Sequence, residues 1–272
     1  MNHIAGTVST SRKPPVKCSN AVCRQCGLPH GETPIAGSKT MENTICFSHG
    51  EEMKKYTAVI FDMDGTLLDT IEDLGSCMNR VLERAGYPTH PIESYKYFVG
   101  TGIRNLVIRS LPEEDRRQAT IDRLQGQMSD EYTAHWADET DLYPGIGALL
   151  DELMRRKILQ AILSNKPHEF TTVMADRYFS NWRFDPVFGA RDGVPSKPDP
   201  AAALEICRRW ELDPQEVLYA GDTNTDMQTA RKAGMFALGV LWGFRPRREL
   251  EENGAQAVVS SPEQMLEFFK SP

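Results

Sequence analysis

From Tyr56 onward the apolar positions fall into two alternating kinds of run. Tyr56 to Phe61 (YTAVIF) is a short, β-branched apolar stretch of the kind buried on both faces in a parallel sheet. Ile71, Leu74, Met78, Val81, Leu82 and Ala85 then recur at helical spacing, and Gly86 stops that helix. Ile103, Leu106 and Val107 predict a second helix, and Ile121, Leu124, Met128, Tyr132 and Trp136 a longer third. No strand is predicted between 71 and 139. Pro144-Gly145 opens another helix with Ile146, Leu149, Leu150 and Leu153 on one face. Ile158 to Leu163 reads as a buried strand, Phe170 to Tyr178 as a helix, Pro186 to Phe188 as a short strand and Ala201 to Trp210 as a helix. Val217 to Ala220 predicts a strand, Asp226 to Ala233 a helix, Phe236 to Leu241 a strand, Ala257 to Val259 an edge strand and Pro262 to Phe269 a last helix.

Strands and helices that alternate in this way predict an α/β fold with a doubly wound, mostly parallel sheet. The helical stretch 71–139 is then an insertion after the first strand. The expected organisation is a core domain from 54–70 and 140–272, a small α-helical cap domain from 71–139, and an N-terminal extension, 1–53, outside both. The extension carries Pro14-Pro15, Thr/Ser clusters and no sustained apolar period, a loop-like or disordered composition. No internal repeat is visible.

Composition changes this picture little. The 272 residues hold 31 basic and 38 acidic side chains, a net of −7, with 40% apolar and 25% charged residues. That is ordinary for a soluble globular chain. The acidic balance argues against nucleic acid as a partner. No run of about 18 apolar residues predicts a membrane span, and no secretory signal is expected, so the expected location is cytoplasmic. Four of the six cysteines, Cys18, Cys23, Cys26 and Cys46, crowd the extension. Cys23-x2-Cys26 and Cys46-x2-His49 have the ligand count and outer spacing of a small zinc site, with Cys18 and His30 as spare candidates. The competing reading is a disordered extension, or one that is not native, with Met53 as the true start.

In a doubly wound sheet, ligands bind beyond the carboxyl ends of the strands. The first strand runs into Asp62-Met63-Asp64-Gly65-Thr66, the second into Ser164-Asn165-Lys166, and the strand at 217–220 into Gly221-Asp222-Thr223-Asn224-Thr225-Asp226. Ser196-Lys197-Pro198-Asp199-Pro200 lies between the last two. Four acids, a hydroxyl and one or more lysines therefore converge on one edge. Carboxylates so close repel one another unless a cation lies among them. Mg²⁺, with its preference for oxygen ligands and a substrate phosphate, answers that need, and Lys197 adds a second positive charge. Such a site suits a phosphoryl group, whose transfer is largely positioning and charge neutralisation. Asp62 and Asp64 are two residues apart and Gly65 turns the chain, so one carboxylate can attack phosphorus while the other faces the leaving group. Gly65 and Thr66 are expected to turn backbone N–H groups toward the phosphate.

Val59-Ile60-Phe61-Asp62-Met63-Asp64-Gly65-Thr66-Leu67-Leu68-Asp69-Thr70 resembles the first motif of the haloacid dehalogenase (HAD) superfamily. Ser164 is similar to its second motif, Lys197 to its third, and Gly221-Asp222 through Asp226 to its fourth; the resemblance covers roughly residues 54–270. It implies a HAD-like Rossmannoid core with these roles. Asp62 is the nucleophile and a metal ligand. Asp64 is the general acid/base and binds metal through its backbone carbonyl. Ser164 hydrogen-bonds the phosphoryl group, Lys197 neutralises nucleophile and phosphate, Asp222 binds Mg²⁺, and Asp226 supports the metal site. An acid at Asp64 implies phosphatase or phosphomutase chemistry, since an alkoxide leaving group needs a proton. In the cap, the loop Val99-Gly100-Thr101-Gly102-Ile103-Arg104 is expected to reach substrate, with Arg104 pairing an anion. Asn165 is placed with Thr66 and Arg104 as substrate-binding. Lys96 is a candidate for the cap lysine that phosphonoacetaldehyde hydrolases need. His168 is expected to cap a helix and Trp242 to pack.

Ser164-Asn165-Lys166-Pro167 and Gly239-Val240-Leu241-Trp242-Gly243-Phe244-Arg245 are most similar to the phosphoglycolate phosphatase branch. The expected function is a Mg²⁺-dependent phosphomonoesterase acting on a small phosphorylated metabolite through an aspartyl phosphate. The alternatives are a pyrophosphatase, a nucleotide or sugar-phosphate phosphatase, a phosphomutase, or a binding protein that kept the fold.

Overall fold

The computed structural model describes residues 56–270. The expectations for 1–53, the zinc ligands Cys23, Cys26, Cys46 and His49 included, lie outside the described residues. In chain order the elements are β1 (Ala58–Phe61), β2 (Leu68–Asp69), α1 (Ile71–Arg84), α2 (Ile92–Phe98), α3 (Ile103–Ser110), α4 (Gln118–His135), β3 (Asp141–Leu142), α5 (Ile146–Arg155), β4 (Leu159–Pro167), α6 (His168–Tyr178), β5 (Val187–Ala190), α7 (Ala201–Trp210), β6 (Val217–Gly221), α8 (Asn224–Ala233), β7 (Phe236–Val240), α9 (Arg247–Glu252) and β8 (Ala257–Val259). Six strands form one sheet in the order β5-β4-β1-β6-β7-β8. Every pairing in it is parallel.

The continuous apolar run of β1 follows from its place. It is central, so the period-2 alternation of side chains finds a packed layer on both faces. Val59 and Phe61 enter a cluster with Leu149, Leu150 and Leu153 of α5 and Met174 of α6. Ala58 and Ile60 enter another with Ala203 and Ile206 of α7 and Met227 and Ala230 of α8. Fully burying each of the larger side chains contributes about 1.5–3 kcal/mol, so four residues anchor both layers to the strand that delivers Asp62.

Helices α1 to α4 share a third cluster, with Met78, Leu82, Tyr95, Leu106, Leu124 and Tyr132 among its fully buried members. The chain enters and leaves this insert through β2 and β3, a two-stranded antiparallel ribbon. Just beyond it, the buried Asp73 carboxylate accepts from the Glu139 and Thr140 N–H groups at 3.0 and 2.9 Å and from the Thr140 hydroxyl at 2.7 Å. One side chain thus fastens the outgoing chain to the incoming one.

Several expectations need correction. Helix α2 is unpredicted because Ile92, Tyr95 and Phe98 span only seven residues, too few to display a period. The two-residue strands β2 and β3 carry no pattern at all. Strand β4 does not stop at Leu163; it runs through Ser164-Asn165-Lys166 to Pro167, with a register shift against β5 after Leu163. Its polar end reads as loop in sequence because alternation and apolarity both fail there. Helix α8 starts at Asn224, where Thr223 and Asp226 form a capping box. Pro262–Phe268 is a 3-10 helix, not an α-helix. Among the described residues no helix is long and apolar enough to cross a membrane.

Candidate active site

The neighbouring strands β4, β1 and β6 point the same way, so their carboxyl ends bring Ser164, Asp62 and Asp222 to one edge. After Asp62 the chain reverses at once. The Met63 carbonyl accepts from Leu67 and Leu68 N–H at 3.0 Å each and from Thr66 N–H at 3.3 Å, while Gly65 N–H donates to Leu68 O at 2.9 Å. Gly65 holds φ +84°, and a Cβ there would overlap the Asp222 carboxylate. The same close packing recurs at Gly243, where a Cβ would strike the Gly65 carbonyl oxygen. These bonds correct one expectation. The Gly65 and Thr66 N–H groups are consumed by the tight turn and do not face a phosphate. The Thr66 side chain is fully buried and donates to Asp222 Oδ1 at 3.0 Å.

Asp62 Oδ1 accepts from Met63 N–H at 2.7 Å and from Lys197 Nζ at 2.9 Å. Lys197 Nζ also lies 2.7 Å from Asp226 Oδ1. The other Asp226 oxygen accepts from Thr223 N–H at 3.1 Å and its hydroxyl at 2.6 Å. Asp222 Oδ2 accepts from Phe244 N–H at 2.8 Å. Carboxylate oxygens of Asp62, Asp222 and Asp226 all lie within 4.8 Å of one another. Three acids are thus buried together, and the one ammonium among them contacts only Asp62 and Asp226. Burial, with Asp226 next, holds the Asp62 carboxyl well above its usual range against the pull of Lys197. Burial and then Asp226 push Asp222 up to about 7, although the Phe244 N–H and Thr66 hydroxyl pull it back. Burial alone would lower Lys197, but Asp226 and Asp62 outweigh it and hold its ammonium well above the usual value. The excess of buried negative charge, all on hard oxygen donors, fits a divalent cation of the Mg²⁺ type.

Asp64 is turned away from that cluster, with its Oδ1 accepting from Lys166 Nζ at 2.8 Å. Between Asp62, Asp64 and Ser164 on one side and the helical insert on the other lies a cleft of about 530 Å³, its open mouth included. Leu74, Val99, Ile103, Leu106 and Phe170 form much of its wall. Asn165 spans it differently from the expectation. Its Nδ2 donates to the carbonyls of Gly100 and Lys197 at 3.0 Å each, and its Oδ1 accepts from Lys197 N–H at 2.9 Å. Every polar atom of that amide serves backbone, so Asn165 ties the insert's glycine loop to the lysine loop. The expected glycine loop does line the cleft, but Arg104 does not. Its guanidinium lies on the insert's surface, 2.7 Å from Asp122 and 3.1 Å from Gln125, because α3 directs it toward α4. Lys96 pairs with Glu93 at 2.8 Å, also outside the cleft. His168 does not cap α6 as expected: Pro167 holds the cap position, and the His168 ring, on the first helical residue, accepts from Gly189 N–H at 3.3 Å; Trp242 Nε1 donates to Thr66 O at 2.9 Å. Two polar residues that line the cleft, Tyr132 and Lys166, are not assigned a place there by the sequence. Tyr132 reads only as one more member of an apolar helix face, and Lys166 only as one of the lysines at the charged edge, with no role of its own. The one available signal was a lysine directly following the Ser-Asn pair.

The fold and the site together define a doubly wound α/β enzyme whose buried acids and lysine meet at the carboxyl edge of the sheet. The haloacid dehalogenase-like hydrolase family model matches residues 59–240. A phosphoglycolate phosphatase of Nitrosospira multiformis is 33% identical over 207 residues, 75% of this chain and 91% of its own. One of Pseudomonas putida is 30% identical over 218 residues, 79% and 80% of the respective chains. A crystal structure from Lactobacillus delbrueckii subsp. bulgaricus, of a protein classed by inference as a phosphoglycolate phosphatase, superposes with a TM-score of 0.75 at 30% identity, covering 80% of this chain and all of that one. The chain belongs to the haloacid dehalogenase-like hydrolases, and within them it is a phosphatase.

Proposed function

We propose that the protein is a Mg²⁺-dependent phosphomonoesterase that cleaves a small phosphoglycolate-like ester through an acyl phosphate on Asp62. The observation that carries this reading is the position of Asp62, held by Lys197 and the Met63 N–H on one oxygen, beside two further buried acids and facing a narrow cleft. Its Oδ2 is the oxygen left for attack on phosphorus. Asp62, Asp222 and the Asp64 carbonyl would hold the cation, with Asp226 behind them, and the bound cation would neutralise charge on the phosphoryl oxygens. Ser164, whose Oγ accepts from Lys166 N–H at 3.1 Å, donates its own proton to a phosphoryl oxygen. As the bond from Asp62 to phosphorus forms and the ester bond breaks, Asp64 passes a proton to the departing oxygen. Asp64 then takes a proton from the water that hydrolyses the acyl phosphate, which releases inorganic phosphate and regenerates Asp62. The helical insert acts as a cap, and its apolar wall keeps bulk water from the first step. Phosphoglycolate is the substrate in the names of the relatives, which supports its choice here. Phosphate release from purified protein, with and without Mg²⁺, across phosphoglycolate, pyrophosphate, sugar phosphates and nucleotides tests the reading. Selective Mg²⁺-dependent release from phosphoglycolate supports it, and strong preference for another ester moves the substrate.

The buried acids make the cation visible without any substrate. In the cation-free protein, folded Asp62 and Asp222 keep protons that the unfolded chain loses near its ordinary value of 3.8. The folded state therefore binds more protons between that value and about 7, and stability falls as pH rises through the window. Mg²⁺ replaces those protons. The expected result is a Tm increase on adding Mg²⁺ that is larger at about pH 8 than at about pH 5. Equal shifts at both would contradict it.

Asn165→Ala is expected to lower kcat/KM by about 10–100-fold, since misplacing the lysine and the cap loop by about 1 Å can cost as much. Steady-state kinetics check this, and an unchanged kcat/KM would deny the amide its bridging role.

A further inference from the structure

The far side of the cleft holds very few polar groups. Leu74, Val99, Ile103, Leu106 and Phe170 offer only carbon to a leaving group, and Gly100 and Gly102 only backbone. The exceptions lie together. Lys166 is almost wholly buried, with its Nζ 2.8 Å from Asp64 Oδ1 and 4.7 Å from the centroid of the Tyr132 ring. An ammonium has three donors, and Asp64 uses one. Tyr132, on α4 of the insert, is 1% exposed, and its buried hydroxyl has the Lys166 ammonium as a polar neighbour but closes no well-formed hydrogen bond among the described residues. A buried hydroxyl without a well-formed hydrogen bond is costly, and a ligand oxygen reaching it would remove that cost. Both residues line the cleft.

We infer that Lys166 and Tyr132 are the specificity-determining pair of this site and receive a terminal carboxylate on a short leaving group. The inference rests on the phosphatase reading above. Its geometry is set by Asp64. The proton that Asp64 delivers goes to the bridging ester oxygen, and Lys166 lies one hydrogen bond from Asp64. An anion held by Lys166 is therefore only a carbon or two from that oxygen, so the spacer is short. The carbon walls add a second filter. Each hydroxyl of a sugar phosphate would be buried there without a partner, whereas an alkyl spacer loses nothing. The Tyr132 hydroxyl and the ammonium reach the carboxylate from the cap and the core respectively, so the right leaving group also draws the two parts together.

The test compares kcat/KM for phosphoglycolate, its uncharged counterpart 2-hydroxyethyl phosphate, a four-carbon carboxyalkyl phosphate and glucose 6-phosphate, with p-nitrophenyl phosphate as a general ester. It uses the full chain with Mg²⁺, and the variants Tyr132→Phe and Lys166→Gln. The readout is the ratio between the carboxylate-bearing and the uncharged two-carbon esters, in which any common loss of proton transfer cancels. The wild type is expected to favour phosphoglycolate over 2-hydroxyethyl phosphate by at least about tenfold. Lys166→Gln should cut that ratio about 10-fold or more, and Tyr132→Phe about fivefold, mainly through KM. Tyr132→Phe alters a single atom, so it reads the pair even where Lys166→Gln fails to fold. Release with a wild-type ratio near one, or ratios unchanged in the folded variants, overturns this inference and leaves the phosphatase reading standing. No release from any ester, p-nitrophenyl phosphate included, removes both.

Discussion

Asp62→Asn should abolish Mg²⁺-dependent phosphate release, lowering kcat by on the order of 10⁴-fold or more, while the protein stays folded. The amide keeps the shape and can still accept from the Met63 N–H. It cannot form the acyl phosphate. The stability effect has the opposite sense to an ordinary core mutation. Asp62 and Asp226 share the Lys197 ammonium with Asp222 buried beside them, and the Asp62 carboxyl is held well above its usual range chiefly by burial. Its charged form is therefore unfavourable in the cation-free fold. Lys197 keeps Asp226 at 2.7 Å when the Asp62 charge is removed. The Tm of the cation-free variant at neutral pH is expected to equal or exceed that of the wild type, and the Mg²⁺-induced rise should shrink. Phosphate-release kinetics and thermal denaturation measure the two effects on the same sample. Activity within tenfold of wild type would remove Asp62 from the chemistry. A large fall in Tm would instead make it a structural anchor.

Asp226→Ala should behave in the opposite way, with a loss of about 3–5 kcal/mol of stability and a fall in Tm of about 10 °C. Asp226 is fully buried, and its two oxygens accept from Lys197, from the Thr223 N–H and from the Thr223 hydroxyl. Alanine leaves those donors buried and unpaired and takes away the capping box that starts α8. Some of this is offset, because Asp226 also repels Asp62 and Asp222. The offset is the smaller effect, since Mg²⁺ relieves the same repulsion and does not restore the missing acceptors. Asp226→Asn retains an acceptor oxygen and should lose less. Thermal denaturation of both variants in saturating Mg²⁺ isolates the structural part. A fall in Tm of less than about 3 °C for Asp226→Ala in that condition would show that the lysine and the helix start do not depend on it.

Much of this architecture is legible in local pattern. A central strand of a parallel sheet must be apolar on both faces, and Ala58 to Phe61 says so without any neighbour in view. The long insert helices declare themselves by period, as at Leu124, Met128 and Tyr132. Strand ends followed by acids, a hydroxyl and a lysine announce a charged edge, because parallel strands have no other place to put such residues. Short elements are illegible for the same reason in reverse. A seven-residue helix or a two-residue ribbon contains too little of its period to be told from a turn, as with α2 and with β2 and β3.

Which group touches which is a different matter. Thr66, Asn165 and Lys166 adjoin the motif residues and Arg104 follows the insert's glycine loop, and nothing in their spacing says what each one holds. The fold gives Asn165 to two backbone loops, Thr66 to Asp222 and Arg104 to Asp122 on the insert's outer face. It also brings Lys166 to Asp64 and to the ring of Tyr132. Residue type and period report how a segment buries its own surface, a local property with a local signature. Hydrogen bonds between residues far apart in the chain depend on where the sheet and the helical insert set their backbones, and only the packed molecule supplies that.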